Sequence, residues 1–159
     1  GYINRKRNEQ KIINKFKKIF GNPDDVVVCF GDFEQRNHMK YKEPIKGKGI
    51  RTLFRKSGYD TYLVDEYRTS CKCCNCEGGE CKTFMVRKSP KPWKDYDALV
   101  HGLLRCKSGC GLWNRDVNGA KNIYKIAFNH INGLKRPLYL CRSNQSDTLH
   151  DVSNHNLPF

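Results

Sequence analysis

The sequence lacks the features that are typical of membrane proteins, secreted proteins and repeat proteins. No apolar run approaches the roughly 20 residues of a membrane-spanning helix, no signal-peptide pattern opens the chain, and no segment repeats. These absences argue against an integral membrane protein, a secreted protein and a repeat array. We therefore expect a soluble intracellular protein, and 159 residues suffice for one compact domain with a modest core.

Acidic residues are scarce relative to basic ones. The chain has 30 Lys and Arg against 16 Asp and Glu, which gives a formal net charge of +14. Such an excess is typical of proteins that neutralise phosphates, because the release of counterions favours their binding. The charge predicts a nucleic-acid partner, and the alternative is a merely soluble basic protein.

The chain also has no initiator Met. It opens with "GYINRKRNEQKIINKF", which shows helical periodicity almost from its first residue. We expect the chain to be the C-terminal piece of a longer protein.

Hydrophobic periodicity predicts alternating helices and strands in the first half. Apolar residues recur at helical spacing over Asn4–Phe20, and Val26–Phe30 is an apolar run that suits a strand buried on both faces. A polar, basic loop is predicted over 34–49, a short helix over Ile50–Lys56, and a second strand within "YDTYLVDEY". Because helical signal separates the two strands, the pattern predicts an α/β sheet with crossover connections, covered by helices.

The segment "NRDVNGAKNIYKIAFNHI" predicts a last helix. Its apolar stripe consists of Val117, Ala120, Tyr124, Ala127 and Ile131. After Pro137 the periodicity fades, and the remaining residues are predicted to form a tail.

Nine cysteines without a secretory signal are typical of reduced thiols or metal ligands rather than disulfides. Cys73 and Cys76 form a CxxC pair, and Cys106 and Cys110 form a CxxxC pair, so two knuckles can present four thiolates to a tetrahedral Zn²⁺. Between the pairs lie 29 residues (106 − 76 − 1), more than the roughly 15–20 of the commonest pattern. An insertion containing "SPKPW" accounts for the excess.

The choice of ligands within the first cluster is open on spacing alone. Cys71 and Cys74 form another CxxC pair, and Cys81 lies nearby. Cys29 lies within the first predicted strand and Cys141 is isolated, so both are interpreted as structural or incidental. Disulfides or unligated thiols remain the alternative to a zinc site.

Two stretches, "EYRTSCKCCNC" and "LLRCKSGCGLWNRDVNGAKNI", resemble the C-terminal region of the TnpB nucleases and still more that of the related Fanzor proteins. The shared pattern is Thr-Ser, two residues, CxxC, a second Cys pair, Arg-Asp-x-Asn-x-Ala and Asn-Ile. It falls here on Thr69, Ser70, Cys73, Cys76, Cys106, Cys110, Arg115, Asp116, Asn118, Ala120, Asn122 and Ile123. The resemblance spans roughly residues 24–128 and favours Cys73 over Cys71 as a ligand.

The resemblance implies an α/β fold that is the C-terminal part of an RNase H-like (RuvC) domain with an inserted zinc ribbon. It divides the chain into a RuvC segment at 1–68, the ribbon at 69–113, a RuvC helix at 114–136 and a tail at 137–159. It implies RNA-guided cutting of DNA with catalytic Mg²⁺ and structural Zn²⁺. The implied partners are a guide RNA, target DNA and the remaining N-terminal part of the same protein, with a nuclear location in a eukaryotic or viral host.

A RuvC-type site needs about three or four carboxylates around two Mg²⁺ ions. In the family these are an early Asp, a middle Glu and a late Asp, and the late Asp maps to Asp116. The alternative for Asp116 is a helix N-cap. No aspartate-bearing strand precedes the first helix, so the early Asp is expected from a separate chain or segment.

The middle Glu maps to Gly31, which cannot hold a metal, and this departs from the TnpB pattern. Fanzor relatives carry a relocated glutamate before the Thr-Ser of the ribbon, which is Glu66 here. Asp65 would point to the opposite face of a continued strand. Asp32 and Glu34 are secondary candidates, and an exposed acid leading into a loop is the alternative for Glu66.

Basic and aromatic side chains supply candidates for nucleic-acid contacts. The basic candidates are Arg51, Arg55, Lys56, Arg68 and Arg115. Trp93 and Trp113 can stack on bases or pack beside the zinc site. The alternative to a nuclease is a non-catalytic zinc-ribbon protein that binds nucleic acid and derives from a transposon-encoded relative.

Overall fold

A computed structural model describes residues 1–32, 47–89, 91, 93, 95–142 and 150–151. The chain forms two compact units, one of residues 1–65 with 149–159 and the other of residues 66–148. Most of the predicted loop at 34–49 lies outside the described residues. No helix in the described part of the chain has the length and apolar character needed to cross a membrane. The division into four segments predicted from the sequence stays a prediction.

The first unit is a small α/β layer. Its elements are α1 (Tyr2–Phe20), a 3₁₀ turn (Pro23–Asp25), β1 (Val27–Gly31), α2 (Gly47–Lys56), β2 (Asp60–Val64) and β8 (His150–Asp151). Strand β2 is central, parallel to β1 and antiparallel to β8. A parallel pair with a helix between its strands is the crossover connection that the sequence predicts.

Aromatic side chains fill the core of this unit. Helix α1 ends where Gly21 adopts a φ of 111°, a conformation that favours glycine. Phe54 and Tyr59 are buried, and the ring of Phe16 lies 4.7 Å from Phe54 and 5.3 Å from Tyr59. The Tyr59 hydroxyl donates to the Gly21 carbonyl at 2.9 Å, so the same residue anchors the end of α1.

Strand β1 is less buried than its apolar run predicts. Val28 and Phe30 pack against the aromatic core, whereas Val27 is 46% exposed. Side chains of a strand alternate between the two faces of its sheet. Helices α1 and α2 cover the face that carries Val28 and Phe30, whereas Val27 on the other face is exposed. The predicted burial of β1 on both faces is therefore wrong for the described residues.

The second unit contains eight of the nine cysteines. Its elements are β3 (Cys81–Lys82), β4 (Val86–Lys88), β5 (Asp97–Leu99), β6 (Leu103–Cys106), β7 (Leu112–Asn114), α3 (Arg115–Ile131) and a 3₁₀ turn (Leu138–Leu140). Strands β3, β6 and β7 form one antiparallel sheet, and β4 and β5 form a separate hairpin. This hairpin lies between the two Cys pairs, where the sequence predicts an insertion.

Helix α3 buries a different face from the predicted apolar stripe. Within that stripe Val117, Tyr124 and Ile131 are exposed. Ala127 is the one residue of the stripe that is buried, together with Asn118, Asn122 and Ile126. The prediction is wrong for most of the stripe because two asparagines occupy the buried face.

The predicted tail also contributes to the structure. Leu140 is completely buried, and its carbonyl accepts a hydrogen bond from Arg136 Nε at 3.0 Å. Further along, β8 pairs with β2. Apolar periodicity misses both features because each involves only two or three residues.

We predict that Phe54→Ala destabilises the protein by about 3–5 kcal/mol, the usual cost of removing a buried aromatic ring. Urea unfolding followed by the far-UV signal measures the change. Tyr2→Ala is the control, because that aromatic residue of α1 is 74% exposed. Equal losses in the two variants would contradict the described core.

Candidate metal centre

The structure brings four cysteine sulfurs together. The Sγ atoms of Cys73, Cys76, Cys106 and Cys110 all lie within 4.8 Å of one another, and those of Cys76 and Cys106 are 3.6 Å apart. Four sulfurs bound at about 2.3 Å around a tetrahedral Zn²⁺ would lie about 3.8 Å apart. The sulfurs therefore have the arrangement of a site that could hold a metal such as zinc.

Backbone hydrogen bonds shape both knuckles. In the first, Cys73 N donates to the Gly79 carbonyl at 2.7 Å and Asn75 N donates to Cys73 Sγ at 3.4 Å. In the second, Cys106 N donates to the Gly111 carbonyl at 3.1 Å, and Gly109 makes the turn with a φ of 83°. These hydrogen bonds, and the glycine in the second turn, let the two sulfurs of a pair face one point.

The other cysteines of the segment lie outside this group. Cys71 is exposed, and its Sγ donates to the Arg68 carbonyl at 3.5 Å. Cys74 is buried, and Cys81 is buried directly opposite Cys106 in the pairing of β3 with β6. The two isolated cysteines, Cys29 and Cys141, are half-buried and are not members of the group of four.

Burial, hydrogen bonds to sulfur and neighbouring charges shift the pKa values of four thiols in this unit. Burial raises the pKa of Cys106, but the backbone N–H groups of Cys110 and Ser108 outweigh it and lower that pKa to about 6. A similar balance lowers the pKa of Cys73. The hydrogen bond with Cys76, followed by burial, raises the pKa of Cys110 to about 12. Burial and then the charge of Cys73 raise the pKa of Cys81 to about 12.

Gly79 closes the metal centre from one side. A Cβ at this position would overlap the Cys76 sulfur and lie 2.9 Å from the Ser108 hydroxyl. Sulfur donors in a tetrahedral set fit Zn²⁺, and the missing Cβ leaves the space that the sulfurs occupy. The sequence reasoning missed Gly79, although its signal is visible in the "CEGGE" that follows the first pair.

Two buried asparagines of α3 hold the first knuckle. Asn118 Oδ1 accepts from Cys74 N at 2.9 Å, and its Nδ2 donates to the carbonyls of Thr69 and Lys72 at 3.2 and 2.7 Å. Asn122 Nδ2 donates to the same two carbonyls at 2.8 Å each. Both asparagines are 0% exposed. These bonds explain the polar residues on the buried face of α3, which the resemblance named only as motif positions.

Thr69 connects these hydrogen bonds to the backbone of Glu66. Both the backbone N–H and the Oγ1 of Thr69 donate to the Glu66 carbonyl at 3.0 Å, while the Thr69 carbonyl accepts from the two asparagines. Glu66 is half-buried. A continuous set of hydrogen bonds therefore connects the backbone of Glu66 to the first turns of α3.

Asp116 lies in the first turn of α3 and is exposed. The helix is capped by Asn114, whose Oδ1 accepts from the N–H groups of Asp116 and Val117 at 2.9 and 3.1 Å. The interpretation of Asp116 as the N-cap is therefore wrong. Across the described ranges, no group of three or more carboxylates lies close enough to share a metal ion.

The secondary acids and Gly31 lie in the first unit. Asp32 is exposed just beyond β1, and its N–H donates to the Val64 carbonyl at 3.0 Å. Glu34 lies outside the described residues. The Gly31 carbonyl accepts from Arg51 Nη2 at 2.8 Å, and Arg51 is buried. This contact gives Arg51 a structural role, and its predicted role in nucleic-acid binding stays a prediction.

The other basic candidates, Arg55, Lys56, Arg68 and Arg115, are exposed. Arg68 has a φ of 59°, which is unusual for a residue other than glycine. Its guanidinium lies 5.2 Å from the Tyr67 ring, and that of Arg142 lies 4.8 Å from the same ring. Two arginines therefore lie against the ring of Tyr67, the residue that follows Glu66 in the chain.

The two tryptophans differ in their surroundings. Trp93 is 75% exposed beside the β4–β5 hairpin. Trp113 packs against the cysteine group, and Lys121 Nζ lies 4.8 Å from the centre of its ring. Packing beside the metal centre is therefore the observed role of Trp113.

Comparison with protein families gives a match for residues 50–123, described as the Cas12f1-like TNB domain. The matched segment includes the four cysteines, both asparagines, Glu66 and Asp116. It supports a TnpB-like family for this chain, in agreement with the motifs, whereas membership of the Fanzor branch stays a prediction. Comparison with curated proteins gives no match.

We predict that Gly79→Ala sharply lowers zinc retention, because the added Cβ displaces the Cys76 sulfur. Elemental analysis after dialysis against a weak chelator measures the metal content. Gly102→Ala is the matched control, since a Cβ there meets no atom within 4 Å. Full zinc content in the Gly79 variant would show that the pocket between the knuckles is not the metal site.

We also predict that Asn118→Ala destabilises the protein more than Asn122→Ala does. Asn118→Ala leaves a buried backbone N–H without its acceptor and removes a donor from two carbonyls, so it should lower the free energy of unfolding by about 1–3 kcal/mol. Asn122→Ala should cost less, because its Oδ1 has no partner among the described residues and Asn118 still donates to both carbonyls. The midpoints of urea unfolding compare the two. A larger loss from Asn122→Ala would reverse the assigned roles.

Proposed function

We propose that this chain is the nuclease portion of a Fanzor-like, RNA-guided DNA endonuclease. The observation that carries the proposal is the set of hydrogen bonds from Glu66 through Thr69 to Asn118 and Asn122. It links Glu66, two residues after β2, to the helix whose first turn contains Asp116. The family match at 50–123 and the net charge of +14 support a nucleic-acid partner.

In this proposal the four cysteines hold a structural Zn²⁺. The metal would fix the first knuckle, whose carbonyls the asparagines hold, and so would stabilise the backbone next to Glu66. Structural zinc sites contribute directly to folding, because their thiolates are not preassembled in the unfolded chain.

Glu66 and Asp116 would bind catalytic Mg²⁺. Their carboxylate oxygens are the donors that Mg²⁺ prefers, and Asn114 rather than Asp116 provides the helix cap. When bound, the ion activates water and stabilises the leaving oxygen of the phosphodiester. A further carboxylate would come from another segment of the same protein, the guide RNA would pair with the target strand, and nearby arginines would contact the phosphates.

A second candidate function is a zinc-ribbon module that binds nucleic acid without cutting it. It is favoured by the lack, across the residues the structure describes, of three carboxylates close enough to share a metal. Gly31 at the position of the usual glutamate agrees with it. The two candidates share the zinc site and the basic charge, so only cleavage separates them.

We predict that Glu66→Gln and Asp116→Asn, each in the complete protein with its guide RNA, reduce DNA cleavage to background while target binding survives. Each substitution removes the negative charge that holds Mg²⁺ and keeps the size of the side chain. Cleavage on a gel and binding by mobility shift, both in Mg²⁺, measure the two effects.

Glu77→Gln is the control, because Glu77 is exposed beside the first knuckle and the change removes the same charge. Undiminished cutting by either carboxylate variant would refute its catalytic role. If the unmodified complex binds its target and does not cut in Mg²⁺, the non-catalytic candidate replaces the nuclease.

A further inference from the structure

Cys81 is a buried thiol that is not a member of the group of four sulfurs. It packs in one apolar cluster with Leu104 and with two members of that group, Cys73 and Cys106. The antiparallel register of β3 and β6 also places Cys81 directly opposite Cys106. A fifth thiol therefore lies against the candidate metal centre, next to one of its ligands.

The hydrogen bonds between β3 and β6 define the kind of cross-strand pair that Cys81 and Cys106 form. Lys107 N donates to the Glu80 carbonyl at 2.9 Å, so the adjacent pair is hydrogen-bonded. Hydrogen-bonded and non-hydrogen-bonded pairs alternate along an antiparallel ladder. In agreement, the N–H groups of Cys81 and Cys106 donate to carbonyls outside the pair, at 2.7 and 3.1 Å. Cys81 and Cys106 are thus a non-hydrogen-bonded pair.

This kind of pair brings two side chains to within reach of a covalent bond. In non-hydrogen-bonded pairs the Cα atoms are about 4.5 Å apart and the side chains are closest. A disulfide joins Cα atoms that are about 4.4–6.8 Å apart. The strand pairing therefore gives Cys81 and Cys106 a separation that a disulfide can bridge. Because the same sulfur of Cys106 belongs to the group of four, the disulfide and the bound metal exclude each other.

A pocket of about 310 Å³ gives small molecules access to this pair. Cys81 lines it together with the hydroxyls of Ser70 and Thr83 and the ring of His101, whereas none of the four grouped cysteines does. Cys81 therefore forms the part of the wall behind which Cys106 lies. Hydrogen peroxide, with two heavy atoms, is small enough to enter such a space.

We propose that hydrogen peroxide joins Cys81 and Cys106 in a reversible disulfide, which releases the metal from the four-cysteine centre. The Cys106 thiolate attacks peroxide, the O–O bond breaks, and hydroxide leaves and takes a proton from solvent. The Cys81 sulfur then attacks the resulting sulfenic acid of Cys106. The S–S bond forms, the S–O bond breaks, and the oxygen leaves as water with the Cys81 proton. The two cysteines lose two electrons, and peroxide becomes two water molecules.

The disulfide would change the metal affinity of the centre directly. A cysteine must be a thiolate to bind a metal, so the oxidised chain keeps only three of the four sulfur donors of a tetrahedral site. A thiol reductant restores the fourth donor. The pair would thus make metal retention in this unit depend on the level of peroxide.

The test treats the zinc-loaded protein with hydrogen peroxide, blocks free thiols with N-ethylmaleimide and maps the disulfides by mass spectrometry. Cleavage after Lys and Glu isolates Cys81 in the dipeptide Cys81–Lys82 and leaves Cys106 as the single cysteine of residues 95–107. We expect these two peptides to be linked and zinc to be released in proportion to the linkage. Dithiothreitol with added zinc should reverse both changes.

Cys81→Ala should remove this linkage and raise the labelling of Cys106 by dimedone several-fold, because dimedone traps a sulfenic acid that Cys81 no longer consumes. Cys74→Ala is the matched control, since Cys74 is also a buried thiol outside the group of four. It should behave as the unmodified protein does. Zinc content before oxidation shows whether each variant folds.

Disulfides confined to the four grouped cysteines, with Cys81 fully alkylated, would overturn the proposal and leave Cys81 as a small apolar core residue. Unchanged dimedone labelling in Cys81→Ala would count equally against it. If that variant does not retain zinc, the disulfide map of the unmodified protein decides alone. The assay contains no nucleic acid, so its outcome is independent of the proposed nuclease.

Discussion

The hydrogen bonds from Asn118 and Asn122 to the first cysteine knuckle are the interaction on which the second unit depends. A knuckle turns its N–H groups toward sulfur, as Asn75 N does toward Cys73, and leaves carbonyls that need donors elsewhere. The two amide groups of α3 supply those donors to Thr69 and Lys72. Without them the buried carbonyls would be unsatisfied, at a cost comparable to the loss of the bonds themselves.

This arrangement joins metal binding to the placement of Glu66. The metal would fix Cys73 and Cys76, and the asparagines hold the backbone carbonyls near them. Thr69 in turn donates two hydrogen bonds to the Glu66 carbonyl, which fixes the backbone at Glu66. Groups outside the ligand shell commonly tune a metal site in this way. In the proposed function, they also connect the cysteine segment to the candidate nuclease residues Glu66 and Asp116.

Much of this could be predicted from sequence, because spacing and periodicity reflect local geometry. The helices, the parallel strand pair and the choice of Cys73 over Cys71 follow from such patterns together with the family resemblance. The buried face of α3 could not be predicted in this way, because Asn118 and Asn122 are polar and only their hydrogen-bond partners, which are distant in sequence, explain their burial. Gly79 was missed for a related reason, because Ser108, which it approaches closely, is remote in sequence. Leu140 was missed because its 3₁₀ turn is too short for apolar periodicity to show.

The most direct test of the account is an experimental structure of the complete protein with guide RNA, target DNA and Mg²⁺. The account predicts Glu66 and Asp116 carboxylate oxygens at about 2.0–2.1 Å from Mg²⁺, in a pair of ions about 3.5–4 Å apart, with zinc in the four-cysteine centre. A Glu66 carboxylate turned away from the ions, with another residue in its place, would contradict the relocated glutamate.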